Sequence, residues 1–466
     1  MSMSFWDSWE EPEDGLKRPS PYVEDFRATI ETHVAPPPFG HSGYNCRDKP
    51  RERVSMYKLM DSFTTQSEHV LRNPPINTIQ RHGKAIETAE LVIMEPLAIG
   101  DNRGAQVVSV SVTPSGGKDS FCAVAKIFDA MYYPFRNQEW GHAQDVVYLA
   151  DVDYSREASA MALAEEIGEA GRSAPKFYGS WTFSLRVPGR SSDVRTRPVR
   201  LVLSELLEGP SMYKLFRRTR VGSAVQMDAY HLPLEYRLEV VARVLEGRVR
   251  QLHGGLDQND LAPRNIIIVP HPDTQPPGRE GLLESVDRLR VVLVDYRMSI
   301  VYRLSKWRSH PFEKLELPPN PMENFWDQSL YQFRGWIPPE WDQKPSLQQQ
   351  WLVQRFGGNE MINKYAPIAE ELKFAIITTK SVATAPAAGA RPEAASNTAK
   401  TSTSHANATT SAANNAAAEP VTTTRSAAQS NSSATKNIDL STIQPLPPMP
   451  DSKYGFKKSP LKVDLV

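Results

Sequence analysis

The sequence predicts an α+β protein with a β-rich first half, a more helical second half and a long tail that does not fold. Three observations predict it. β-branched runs cluster before residue 130, a helical apolar period recurs after residue 230, and residues 381–436 are almost wholly Ala, Ser, Thr, Asn and Gln. No Phe, Trp or Tyr occurs between residues 380 and 454, so nothing there offsets the entropy of ordering the chain.

The 466 residues carry 54 Lys+Arg and 54 Asp+Glu, a balance that argues against a polybasic nucleic-acid binder or an anionic-membrane binder. The two cysteines, Cys46 and Cys122, provide no disulfide framework, which fits a reducing compartment. The start, MSMSFWDSWEEPEDG, is acidic and aromatic, unlike a secretory leader, and no apolar run approaches the roughly 18 residues of a bilayer span. The expectation is a cytoplasmic or nuclear protein.

Residues 1–84 are Pro-rich and patchy, with scattered aromatics and no sustained period, and read as a mostly irregular extension. Order begins with ETAELVIMEPLAI and QVVSVSVTP. A Gly-containing turn, PSGGKDS, then leads into FCAVAKIFD, a hairpin signal. In SREASAMALAEEIGEAG, Ser155 is placed to cap a helix carrying Glu157, Met161 and Glu165 at four-residue spacing. APKFYGSW and RPVRLVLSELLEG read as further strands, so residues 85–209 give β-β-β-α-β-β. Residues 210–380 are more helical. Leu234, Leu238, Val241, Leu245 and Leu252 share one face of a helix that Gly254-Gly255 ends, and the β-branched runs NIIIV and RVVLVDY flank a Pro/Gly-rich insert. Residues 381–466 form the low-complexity tail.

The chemistry lies at the ends of those last two runs. DLAPRN sets Asp260 and Asn265 five apart before IIIV, and Asp295 follows VVLV. A carboxylate, an amide oxygen and a second carboxylate on short turns beside strands suit phosphoryl transfer, which needs one group to orient an acceptor hydroxyl and hard oxygen ligands to hold Mg²⁺ on the phosphates.

At this point the chain resembles the protein-kinase-like superfamily, whose catalytic loop reads Asp, four residues, Asn, and whose metal-binding Asp follows the next apolar strand. The resemblance implies a two-lobed kinase-like fold with an antiparallel β-rich N-lobe, a reduced helical C-lobe and disordered tails. It implies Asp260 as catalytic base, and Asn265 and Asp295 as metal ligands. Lys126 in AVAKIF matches the lysine that pairs with the α- and β-phosphates of ATP, and Glu157 its ion-pair partner, although Glu165 and Glu166 share that helix. Gly100, Gly104 and Val107 stand where a phosphate-covering glycine loop belongs. Glu205 and Leu207 in SELLEG fit the hinge that meets adenine.

The departures are specific. Gln258-Asn259 replaces the His-Arg that precedes the base in most kinases, and Asp-Tyr-Arg replaces Asp-Phe-Gly, so Arg297 removes backbone freedom. WIPPEW resembles the end of an activation segment, but only about forty ordered residues follow it. The pattern over residues 85–377 is similar to divergent kinase-like proteins of filamentous fungi. Two functions follow: an ATP- and Mg²⁺-dependent phosphotransferase acting on a protein or small-molecule hydroxyl, or a weakly active or inactive pseudokinase serving as a binding scaffold. The stretches PSPYVEDF, VAPPPFGH and IQPLPPMPDSKYGF also suit a partner that binds Pro-rich motifs.

Overall fold

The computed structural model describes residues 9–40, 43–44, 50–78, 86–187, 195–221, 224–270, 281–283, 286–370 and 372. The tail at 381–466 and the stretch IQPLPPMPDSKYGF lie outside the described residues. No described helix is long and apolar enough to cross a membrane.

The N-terminal segment differs from its reading as irregular. It contributes strand β1 (Arg27–Thr32) and two short helices, α1 (Met56–Asp61) and α2 (Gln66–Arg72), capped by the side chains of Ser55 and Thr65. Its scattered aromatics are anchors: Tyr22, Phe39 and Tyr44 are all buried. Pro36 and Pro38 are buried as well, so the stretches around Tyr22 and Phe39 pack against their own chain.

Strand β1 joins β2 (Thr88–Ala98), β3 (Gln106–Pro114), β4 (Phe121–Phe128), β5 (Phe177–Val187) and β6 (Arg195–Glu205) in a closed barrel ordered β1-β2-β3-β4-β6-β5, antiparallel at every pairing. Period-two alternation fills its interior with Ile30, Leu91, Ile93, Val108, Val110, Ala123, Ala125, Ile127, Leu201 and Leu203. Strands β2 to β6, with a helix after β4, reproduce the β-β-β-α-β-β reading.

That helix, α3 (Val146–Glu166), starts nine residues before Ser155, where Asp145 accepts from the Tyr148 N–H. Ser155 is therefore mid-helix and buried, its hydroxyl turned back to the Val152 carbonyl at 2.9 Å. The apolar period is blurred because α3 is covered on two sides, by the barrel and by the N-terminal segment. His69 Nε2 and the Val54 N–H meet Asp145, Arg51 pairs with Asp151, and the Phe39 carbonyl accepts from Arg156 Nε.

His33 at the end of β1 meets the Tyr154 hydroxyl of α3 at 2.7 Å. Burial, and then the nearby Arg200, push its pKa down from 6.5 to about 3. The unfolded chain binds a proton at His33 below pH 6.5 and the folded chain does not, so folding stability is lost as pH falls from 6.5 toward 3. Asp151, raised by burial to about 6, opposes this slope at lower pH. The expected outcome is that His33→Gln loses less stability than wild type between pH 6.5 and 4, measured by urea unfolding across pH. Equal losses would remove His33 as the source.

A hairpin of β7 (Arg217–Val221) and β8 (Ala224–Asp228) follows the barrel. A second core then gathers helix α4 (Leu234–His253), β9 (Leu256–Asp257), β10 (Ile266–Val269), β11 (Arg290–Leu293), β12 (Ile300–Val301), α5 (Pro321–Phe325) and α6 (Pro345–Phe356). Val241 and Leu245 of α4 are fully buried, whereas Leu234, at the helix start, is exposed. Gly255, with φ of +81°, lets the chain reverse into β9. β10 pairs antiparallel with β11 and β9 with β12. The Pro- and Trp-rich stretch supplies Phe325, Trp326, Phe333, Trp336 and Trp341 to this core in place of long helices.

Candidate functional site

Lys126 lies on β4, out of phase with Ala125 and Ile127, so its side chain leaves the barrel interior. Its Nζ donates to Glu157 Oε2 at 2.9 Å and to Asp295 Oδ1 at 2.6 Å. Burial opposes the ammonium, but Asp295 and then Glu157 more than reverse this, and the Lys126 pKa sits above that of a free lysine. The price falls on the carboxylates unequally. Burial raises Glu157, whereas Lys126 and Arg297 outweigh burial at Asp295 and hold it below its usual range.

Asp295 follows β11 in a left-handed backbone conformation, φ +62°, and Asn259, just before Asp260, has φ +58°. One precedes the Asp260 carboxylate and the other carries its own, and Asn and Asp are the non-glycine residues that enter this region most readily. Arg297 is not among the positive-φ residues, so the glycine missing there costs nothing in backbone freedom.

The β10–β11 ladder brings the two motifs together. Ile266 pairs with Leu293, and the Val294 N–H donates to the Asn265 carbonyl at 2.9 Å. Asn265 Nδ2 then donates to Asp260 Oδ2 at 2.9 Å and to its carbonyl at 3.0 Å, while Arg264 Nη2 meets Asp260 Oδ1 and Oδ2 at 2.7 and 2.8 Å. The carboxylate is fixed by the loop that carries it.

Gln258 is the residue whose role the sequence did not disclose. It is fully buried; its Oε1 accepts from the Asp260 N–H at 3.1 Å, and its Nε2 donates to the carbonyls of Val294 at 3.0 Å and Asp295 at 3.4 Å. One side chain thus ties both acidic turns. The Tyr of Asp-Tyr-Arg is likewise provided for: Tyr296 is buried and its hydroxyl accepts from Gln251 Nε2 of α4 at 3.0 Å. The Arg297 carbonyl accepts from Arg156 Nη1 at 3.1 Å, and its Nε lies 3.4 Å from Asp295 Oδ2.

The glycine turn behaves differently from a phosphate cradle. Gln106 is buried and fills it: its Oε1 accepts from the Gly100 N–H at 2.8 Å, and its Nε2 donates to the carbonyls of Gly100 at 3.0 Å and Gly104 at 2.9 Å. The Gly100 amide is therefore already engaged. Val107 stands directly across from Lys126 in the β3–β4 register, which puts it on the same face.

Glu205 offers no carboxylate to a ligand. Arg290 of β11 grips it with two bonds, 2.7 and 2.8 Å, and the Lys176 N–H adds a third at 3.0 Å. These bonds, Arg290 foremost, hold its pKa below the ordinary value. Leu207 is half-buried in the connecting segment, its carbonyl taken by the Gly209 N–H at 3.0 Å. Gly209 is required there, since a Cβ would meet the Ile268 carbonyl oxygen at 1.9 Å.

The structure therefore brings Lys126, Glu157, Asp295, Asn265 and Asp260 into one linked cluster, with Val107 above Lys126. Asp295 and Asn265 present a carboxylate and an amide, hard oxygen donors of the type Mg²⁺ takes alongside water and phosphate oxygens. Both oxygens of Asp295 face cations here, Oδ1 the Lys126 ammonium and Oδ2 the Arg297 guanidinium.

No protein-family profile matches this chain, and no curated protein matches it. Among solved structures it is similar to the crystal structure of the Mycobacterium tuberculosis PknI kinase domain, at 12% identity and a TM-score of 0.25, and to a cysteine-to-alanine mutant of that domain, at 14% and 0.24. Each alignment covers 44% of this chain and 59% of that one, so the chain spans less than two thirds of the domains it resembles.

Proposed function

We propose that this chain is a divergent kinase-like phosphotransferase that uses ATP and Mg²⁺ and transfers the γ-phosphoryl group to a protein or small-molecule hydroxyl. The observation that carries this reading is Lys126, bonded at once to Glu157 of α3 and to Asp295 after β11, beside an Asp260–Asn265 loop held by its own Arg264.

On this reading Lys126 positions the α- and β-phosphates, and Glu157 keeps its ammonium in place. Asp295 and Asn265 would hold Mg²⁺, which neutralises charge on the phosphates when bound. Asp260 orients the acceptor hydroxyl and receives its proton as the oxygen bonds to the γ-phosphorus, whose bond to the bridging oxygen of the β-phosphate breaks to release ADP. Gln258 keeps Asp260 and Asp295 in register. Arg264 and Asn265 stop the Asp260 carboxylate from rotating.

The scaffold alternative is favoured by one observation, the engagement of Gly100 by Gln106, which leaves fewer amides for phosphate. The deciding measurement is the melting temperature with and without millimolar ATP and Mg²⁺, on wild type and Asp295→Ala. A ligand near 100 times its Kd stabilises by about 2.7 kcal/mol. A metal-dependent rise that Asp295→Ala loses supports phosphotransfer, and no rise in wild type overturns it.

A further inference from the structure

The barrel side of α3 contains a cavity of about 260 Å³, one wall of which is Phe128, whose ring centroid lies 5.9 Å from Lys126 Nζ. Its walls are apolar where α2 and α3 face each other, at Val70, Leu71, Val147 and Ala150, with Pro74 and Pro75 also lining it. Its polar lining comes from the acid–base groups Asp129, Asp151, Arg197 and Arg200.

Three of these four are matched. Arg197 grips Asp129 with two 2.6 Å bonds, and Asp151 pairs with Arg51 at 2.9 Å. Arg200 is the exception. It is 4% exposed, donates only to the Thr182 hydroxyl at 2.6 Å and the Ile76 carbonyl at 2.9 Å, and has an Nε–H without a partner among the described residues. Its hydrogen bonds go only to neutral groups, and the one carboxylate acting on it, Asp151, is already paired with Arg51, less counter-charge than ordinarily accompanies burial of an ion. Arg51, Arg197 and Arg200 against Asp129 and Asp151 leave one positive charge in excess around an apolar space.

We infer that this cavity is a second ligand site, which takes a small carboxylate carried on a short hydrocarbon chain. The carboxylate supplies the charge Arg200 lacks, as a guanidinium's planar fork suits that anion. The chain lies against Val70, Leu71, Val147 and Ala150. A volume just under the range of about 300–1,000 Å³ typical of drug-sized ligands favours such a compound over a nucleotide. Because Val147 and Ala150 belong to the helix that carries Glu157, an occupant also braces that helix.

The test uses hexanoate, with hexanol as the uncharged control, on the full chain. Hexanoate at about 10 mM is expected to raise the melting temperature by a few degrees, and hexanol is expected to leave it unchanged. Arg200→Met and the cavity-filling Ala150→Leu should each abolish the rise. If Arg200→Met does not fold, Ala150→Leu carries the comparison. No rise in wild type, an equal rise with hexanol, or a rise retained in Ala150→Leu would each overturn the proposal. Because the readout needs neither nucleotide nor turnover, its failure is separable from failure of the phosphotransfer reading.

Discussion

On the proposed phosphotransferase reading, Asp260→Asn is expected to lower phosphoryl transfer by about 10²–10⁴-fold, the usual contribution of a positioned general base, while the melting-temperature rise with ATP and Mg²⁺ stays intact. Asparagine keeps the shape of the side chain but cannot accept the hydroxyl proton. Arg264, 60% exposed along its side chain, can turn to water when its carboxylate partner is gone, so the loop should survive. Turnover assays on wild type and variant, paired with the thermal measurement, separate chemistry from binding. Undiminished turnover would remove Asp260 as the base, and a lost thermal rise would make the substitution a binding or folding defect instead.

Arg197→Met is expected to destabilise the fold by about 3–5 kcal/mol, the cost of leaving a buried charge without its partner. Asp129 has a fully buried side chain that receives two 2.6 Å bonds from Arg197, one of 2.5 Å from the Tyr22 hydroxyl and one of 3.1 Å from the Met131 N–H. Removing the guanidinium leaves a carboxylate whose remaining donors are neutral. The double variant Arg197→Met/Asp129→Asn should recover part of the loss, since no net charge then stays buried. Urea unfolding of both variants checks this. A loss under about 1 kcal/mol in the single variant would be the size expected of a surface pair and would contradict the burial.

Which parts were legible in the sequence follows from how local their causes are. DLAPRN and the Asp295 turn could be read because five-residue spacing and β-branched runs are local signals, and the α4 period was visible because its apolar residues from Val240 on are buried while Glu239, Arg243, Glu246 and Arg250 take the half-buried side. Lys126 could be placed on its strand by alternation. Of the three helix glutamates Glu157 is the one bonded to Lys126, a choice the sequence left open because only the packing of α3 decides which face turns inward. β1 was not legible: RATIET has one bulky apolar residue, Ile30, and becomes a strand because β2 and β5 both offer it partners. The start of α3 was missed because a helix covered on both sides has no single apolar stripe. Gln106, Gln258 and the Glu205–Arg290 pair were hidden for a related reason. A polar side chain states its type in the sequence, and its partner only in three dimensions.

Closure of the barrel by β1 has a consequence for synthesis and solubility. Glu31 meets Thr88 on one side and Thr182 on the other, and β6, the last strand made, joins β4 to β5, so the earliest strand made must wait for the last before the ring can shut. Without β1, both β2 and β5 present an open row of N–H and C=O groups, the template on which chains add to one another. A protein cut before Arg27 keeps its described residues 126, 157, 260, 265 and 295, and one cut after Thr32 keeps them too. Only the second has permanent free sheet borders, and it is the one expected to precipitate.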